Sequence, residues 1–161
     1  DKKILGLYLD GTLIFVGLAD HSFLAWGGDR GNKINSLGLI EVIYNFVNFY
    51  RLVLEDFEER PERITLRVDF LNMHLNGEKG YLVPYHTGSY AQLFDLEKKD
   101  APDNNGYIEE AFTTDNFNVG TVTYNLIKKI YLWFGLEEDK IPYVKNENEV
   151  KTIDAETIQK I

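Results

Sequence analysis

Tyr85, His86, Thr87, Ser89 and Tyr90 bring hydroxyl groups and an imidazole together in one short stretch. These are the raw materials of nucleophilic catalysis, with Ser89 as nucleophile and His86 as base. An acid from Glu109, Glu110 or Asp115 would complete a small hydrolase or transferase. Against it, Ser89 stands in no Gly-x-Ser-x-Gly elbow, and nothing in the sequence orients His86. The three acids read more simply as a solvated acidic loop. A second candidate is Gly27-Gly28-Asp29-Arg30-Gly31-Asn32-Lys33. It precedes a helix, whose free amides favour an anion, so Gly28, Arg30, Gly31 and Lys33 form a candidate anion-binding loop. It lacks the Gly-Lys-Ser/Thr ending of a phosphate-binding Walker loop. His21, His74 and His86 have no spacing suited to a metal, and no cysteine can complete a site. No metal and no cofactor is expected.

Leu9-Asp10-Gly11-Thr12-Leu13 resembles the end of the haloacid-dehalogenase phosphatase motif Asp-x-Asp-Gly-Thr. The nucleophile position holds Tyr8, and a phenol cannot replace the carboxylate in that chemistry. The segment reads instead as a hairpin. Ile4 to Leu9 and Thr12 to Val16 flank Asp-Gly, the preferred pair for a two-residue turn. That turn places Leu5, Leu7, Leu9, Ile14 and Val16 on one face and Ile4, Tyr8, Leu13 and Phe15 on the other. Both faces are apolar, so the hairpin is covered twice or presents a binding surface. Ser22 to Trp26 is expected to add a third strand.

The elements that follow are more regular. Leu37 to about Phe57 carries apolar residues at helical spacing, with Asn35 or Ser36 as cap. Its apolar arc is wider than a surface helix needs, which predicts contact with a second element or a partner. Tyr8, Leu13, Phe15 and Tyr44 are the candidate interface residues. Ile64, Leu66, Val68 and Phe70 alternate with polar residues as a half-buried strand, and a bulge near 70–72 would account for the change of phase after Phe70. Asn76-Gly77 predicts a turn, and Tyr81-Leu82-Val83 a strand closed by Pro84. Residues 86–118 are harder to assign, with a short strand or helical turn near 93–96 and a strand from Tyr107 to Thr113. A second helix runs from Val119 to Phe134, capped by Asn118 and ended by Gly135. Residues 144–161 read as an acidic, lysine-bearing tail.

The chain has 161 residues and a net charge of −9. That charge opposes a phosphate backbone and makes direct nucleic-acid binding by this segment unfavourable. No signal peptide is evident, and no apolar run reads as a membrane span. A cytoplasmic protein is the expectation, with no membrane partner.

The string from Ile64 to Phe70, with Gly77 to Pro84, follows a long Leu/Phe/Tyr helix and the hairpin Leu7–Leu13. This pattern is similar to the C-terminal accessory region of bacterial proteins with an AlbA-type or Schlafen-like DNA-binding domain. The resemblance covers residues 5–84. It implies that nucleic-acid- or nucleotide-binding residues belong to a preceding domain, and it carries none over to this chain.

The expected fold is a single two-layer α+β domain over residues 1–161, a piece of a longer polypeptide. A mainly antiparallel sheet of five to six strands carries two main helices on one face. The stretches 4–57 and 63–135 form a ββα pseudo-repeat. The expected function is non-catalytic: a ligand-sensing or protein-interaction module of a bacterial regulatory or defence protein. Its partners would be another protein, a second copy in a homodimer, or a small ligand.

Overall fold

The computed structural model describes residues 3–18, 24, 33–85, 98–115 and 117–158. The chain is α+β, and among the described residues five of six strand pairings are antiparallel. Among the described residues the strands are divided among five small sheets rather than joined in one sheet of five or six.

Strands β1 (Lys3–Leu7) and β2 (Leu13–Gly17) form the first hairpin. Its register differs by one residue from the sequence expectation: Leu5 faces Phe15 and Leu7 faces Leu13. The loop explains the shift. Tyr8 N–H donates to Thr12 at 2.9 Å, and Gly11 N–H donates back to Tyr8 at 3.0 Å. Gly11 has φ +83°, so the connection is a three-residue turn ending in a left-handed glycine. The Asp10 carboxylate accepts the Thr12 N–H at 2.9 Å, which holds its pKa below the usual carboxylate range. One extra loop residue moves every side chain after it to the other face. Leu5, Leu7, Leu13 and Phe15 therefore share one face, and Ile4, Ile14 and Val16 the other.

Strand β3 (Lys33–Asn35) leads directly into α1 (Ser36–Glu55). The Asn35 side chain caps α1 by accepting the Leu37 N–H at 2.9 Å. β4 (Arg63–Phe70) pairs with β9 (Gly106–Thr113) over its full length. The expected bulge after Phe70 is a strand end instead. Asn72 takes a left-handed conformation, and the side chains of Asn105 and Asn104 accept the freed amides of Asn72 and His74. β5 (His74–Leu75) and β6 (Glu78–Lys79) close around Asn76-Gly77, both with positive φ, as the sequence indicated. β7 (Tyr81–Val83) pairs in parallel with β3 and antiparallel with β8 (Lys99–Asp100).

α2 (Val119–Trp133) has Asn118 as its cap. It ends in a Schellman turn: Leu136 N–H reaches Tyr131 O at 2.8 Å, and Gly135 has φ +72°. A one-turn 3-10 helix (Glu138–Lys140) follows. The expected tail is a third hairpin, β10 (Val144–Glu147) and β11 (Val150–Ile153), before the short helix α3 (Ala155–Ile158).

α1 and α2 pack on each other and on the inner faces of β3, β4, β7, β9 and β11, in one core. Ile40, Val47, Leu82, Ile127 and Ile130 have essentially no exposed surface. Against the expectation that no apolar run reads as a membrane span, α1 meets the length and composition of a membrane-crossing helix. The residues along one side of this helix are buried in the protein's own core.

Candidate functional site

The hairpin β1–β2 stands apart from the core just described. Ile4, Leu5, Leu7, Tyr8 and Val16 are each more than half exposed, and Leu9 at its tip is fully exposed. Leu13 and Phe15 are half-buried. Contacts among the described residues fix its tip to the body. The Tyr50 hydroxyl donates to the Gly11 carbonyl at 3.4 Å, and the Phe57 ring lies against Gly11. Phe57 is itself exposed, and α1 also exposes Phe49 and Leu52. The exposed apolar residues of the hairpin are gathered on one element, unlike the singly scattered leucines of an ordinary surface.

Beneath the tip lies a cleft of about 290 Å³. Asp10, Gly11, Thr12 and Leu13 form one wall. Pro61 and Arg63 to Leu66 of β4 form the other, with Phe46 and Tyr50 between them. Burial raises the Tyr50 pKa, so its hydroxyl stays protonated and able to donate.

The candidate interface residues are not all brought together. Tyr8, Leu13 and Phe15 lie in the hairpin, but the register shift moves Leu13 and Phe15 from the face of Ile4 to the face of Leu5 and Leu7. Tyr44 packs against the core instead. The charges that act on it are those of Arg51, Lys145 and Asp154, on the side of the C-terminal hairpin.

Of the candidate anion loop, Gly28, Arg30 and Gly31 lie outside the described residues. Lys33 is buried in β3, paired with Tyr81 of β7. The Asn35 side chain already engages the Leu37 and Gly38 amides at the start of α1. The alternative catalytic pair, His86 and Ser89, lies outside the described residues, as does His21. Of the expected third strand at 22–26, only Leu24 lies within the described residues; it sits in a turn, and its carbonyl accepts the Asn35 N–H. His74 places its Nε2 3.1 Å from the Ala101 carbonyl. Glu109 and Glu110 sit on strand β9, not in a loop. Glu109 lies near Arg67, and Glu110 pairs with Lys129 at 3.0 Å. Among the described residues no group of three His, Asp or Glu could hold a metal ion.

The sequence reading missed a polar knot at the other end of α2. Glu138 accepts from Tyr124 and Lys151 and pairs with Lys128 at 2.6 Å. Hydrogen bonds from Lys128, Lys151 and Tyr124 hold its carboxyl down at about 2. Only the i, i+4 spacing of Tyr124 and Lys128 hinted at it in the sequence. The knot ties three elements together, and we assign it to stability.

Compared with known proteins, the chain matches no family model, no curated protein and no solved structure.

Proposed function

We propose that this chain is a protein-interaction module and that the β1–β2 hairpin is its contact surface. A bacterial regulatory or defence protein remains the setting we favour, on the resemblance stated above. The observation that carries the reading is an ordered hairpin apolar on both faces and outside the protein's own core. Isolated two-stranded hairpins are marginal in water, and an apolar one invites association. The hairpin carries only two charged side chains, Lys3 and Asp10, in a chain of net charge −9. Another molecule can therefore approach it against less repulsion than anywhere the acids cluster.

A photo-crosslinking amino acid at Ile14 tests this in cells expressing the protein. The expected result is a discrete adduct from position 14 and none from Asp103, an exposed residue elsewhere. Ile4→Ser with Val16→Ser should abolish the adduct. No adduct from position 14 would contradict the reading.

A further inference from the structure

We propose that Asn76 is a self-modification site: the Gly77 backbone nitrogen displaces its side-chain amide as ammonia, and water opens the resulting ring to leave an aspartate or isoaspartate at position 76. The reaction needs no partner and is independent of the interaction reading above.

The chain carries two Asn-Gly pairs, Asn76-Gly77 and Asn105-Gly106, and one Asp-Gly pair, Asp10-Gly11. A following glycine favours ring closure, since no Cβ crowds the attacking nitrogen. The fold then separates the three sites. Attack requires a glycine N–H free of other bonds, a side chain free to turn toward it, and a peptide plane between them that can swing.

Asn76 meets all three requirements. It and Gly77 form the two-residue turn between β5 and β6, and both are exposed. Among the described residues the Gly77 N–H donates to no acceptor, and the Asn76 carboxamide makes no hydrogen bond. Nothing lies within 4 Å of where a Cβ on Gly77 would stand, so the peptide has room to rotate.

Asn105 meets none of them. Its side chain accepts the Asn72 N–H at 2.9 Å. The bond from Thr114 N–H to Glu62 O sets the alternation of the β4–β9 ladder, which makes Phe70 and Gly106 a hydrogen-bonded pair. The Trp133 ring also covers Gly106, where a Cβ would collide with it. At the Asp-Gly pair, Gly11 N–H donates to the Tyr8 carbonyl at 3.0 Å, and the Asp10 carboxylate is held by the Thr12 N–H. The Tyr50 hydroxyl fixes the Gly11 carbonyl as well.

Water is the one co-reactant. The Gly77 nitrogen gives up its proton and bonds to Asn76 Cγ; the Cγ–Nδ2 bond breaks, and Nδ2 leaves as ammonia. Water then adds to either ring carbonyl and reopens the chain. Both products add a negative charge to the turn, and isoaspartate also inserts a methylene into the main chain. The lost ammonia does not return, so the modified fraction grows with the age of the molecule.

Protease mapping with mass spectrometry tests this on the intact protein, held in mildly alkaline buffer at body temperature in ordinary and in heavy-oxygen water. Position 76 should lose its amide at least roughly tenfold faster than position 105, which reacts only when its ladder opens. The modified peptide should carry one heavy oxygen and elute as two isomers. In guanidinium chloride the two positions should react at similar rates, because the fold no longer protects Asn105. Asn76→Gln, whose longer side chain closes no five-membered ring, should end ammonia release from the turn. Folded protein in which Asn76 keeps its amide, or in which Asn105 reacts as fast, would overturn the proposal. A difference that persists in guanidinium chloride would assign it to neighbouring residues rather than to the fold and overturn it too.

Discussion

Glu149 and Gly120 show at the residue scale what the fold demands of single positions. Asn148 and Glu149 both have positive φ in the two-residue turn between β10 and β11. Asparagine tolerates that conformation, whereas glutamate is strained in it. Glu149→Gly should raise stability by roughly 1 kcal/mol, measured by urea unfolding. Gly120 is where α2 meets β11. A Cβ there would collide with the Thr152 hydroxyl and lie 2.7 Å from the Ile153 carbonyl. Gly120→Ala should cost about 1–3 kcal/mol by the same measurement, although alanine is the better helix former. Glu138 gives a pH signature. Its folded pKa, about 2, lies below the ordinary 4.5, so its charged form stabilises the fold. That stabilisation is complete above the ordinary value and is lost as pH falls from there through about 2. Glu138→Gln should flatten this part of the stability–pH curve. An unchanged acid limb would show that the knot adds nothing.

The elements differ in how well the sequence announced them. α1 and α2 were legible because long apolar periods, Asn caps and Gly135 all agree. β4 was legible from strict alternation, and the Asn76-Gly77 turn from its dipeptide. Asn35→Ala should cost about 0.5–2 kcal/mol, the usual value of a lost cap, read from a denaturant titration. The first hairpin was legible in outline but not in register. Asp-Gly serves both a two-residue and a three-residue turn, and both leave apolar faces, so hydrophobic pattern could not choose. β10–β11 was hidden because its turn is Asn-Glu and its charges suggest a solvated tail. Thr152 and Ile153 are nevertheless buried against α2. The proposed contact surface was visible in the sequence, since a hairpin greasy on both sides needs no tertiary information to be noticed. The cleft was not, because it depends on β4 lying beside a tip more than forty positions away in the chain.

On the scale of the whole molecule, two regions divide the apolar residues between two tasks. The helices and the inner faces of β4, β7 and β9 build the core. The hairpin keeps its apolar residues outside that core, and the account stands on this division. The most direct measurement compares unfolding free energies of Ile4→Ser/Ile14→Ser/Val16→Ser with those of Ile40→Ala. The account predicts a change within about 0.5 kcal/mol for the triple hairpin variant and a loss of roughly 2–5 kcal/mol for the core variant. A hairpin variant that loses as much stability as Ile40→Ala would show that these side chains hold the fold together, and would contradict the account.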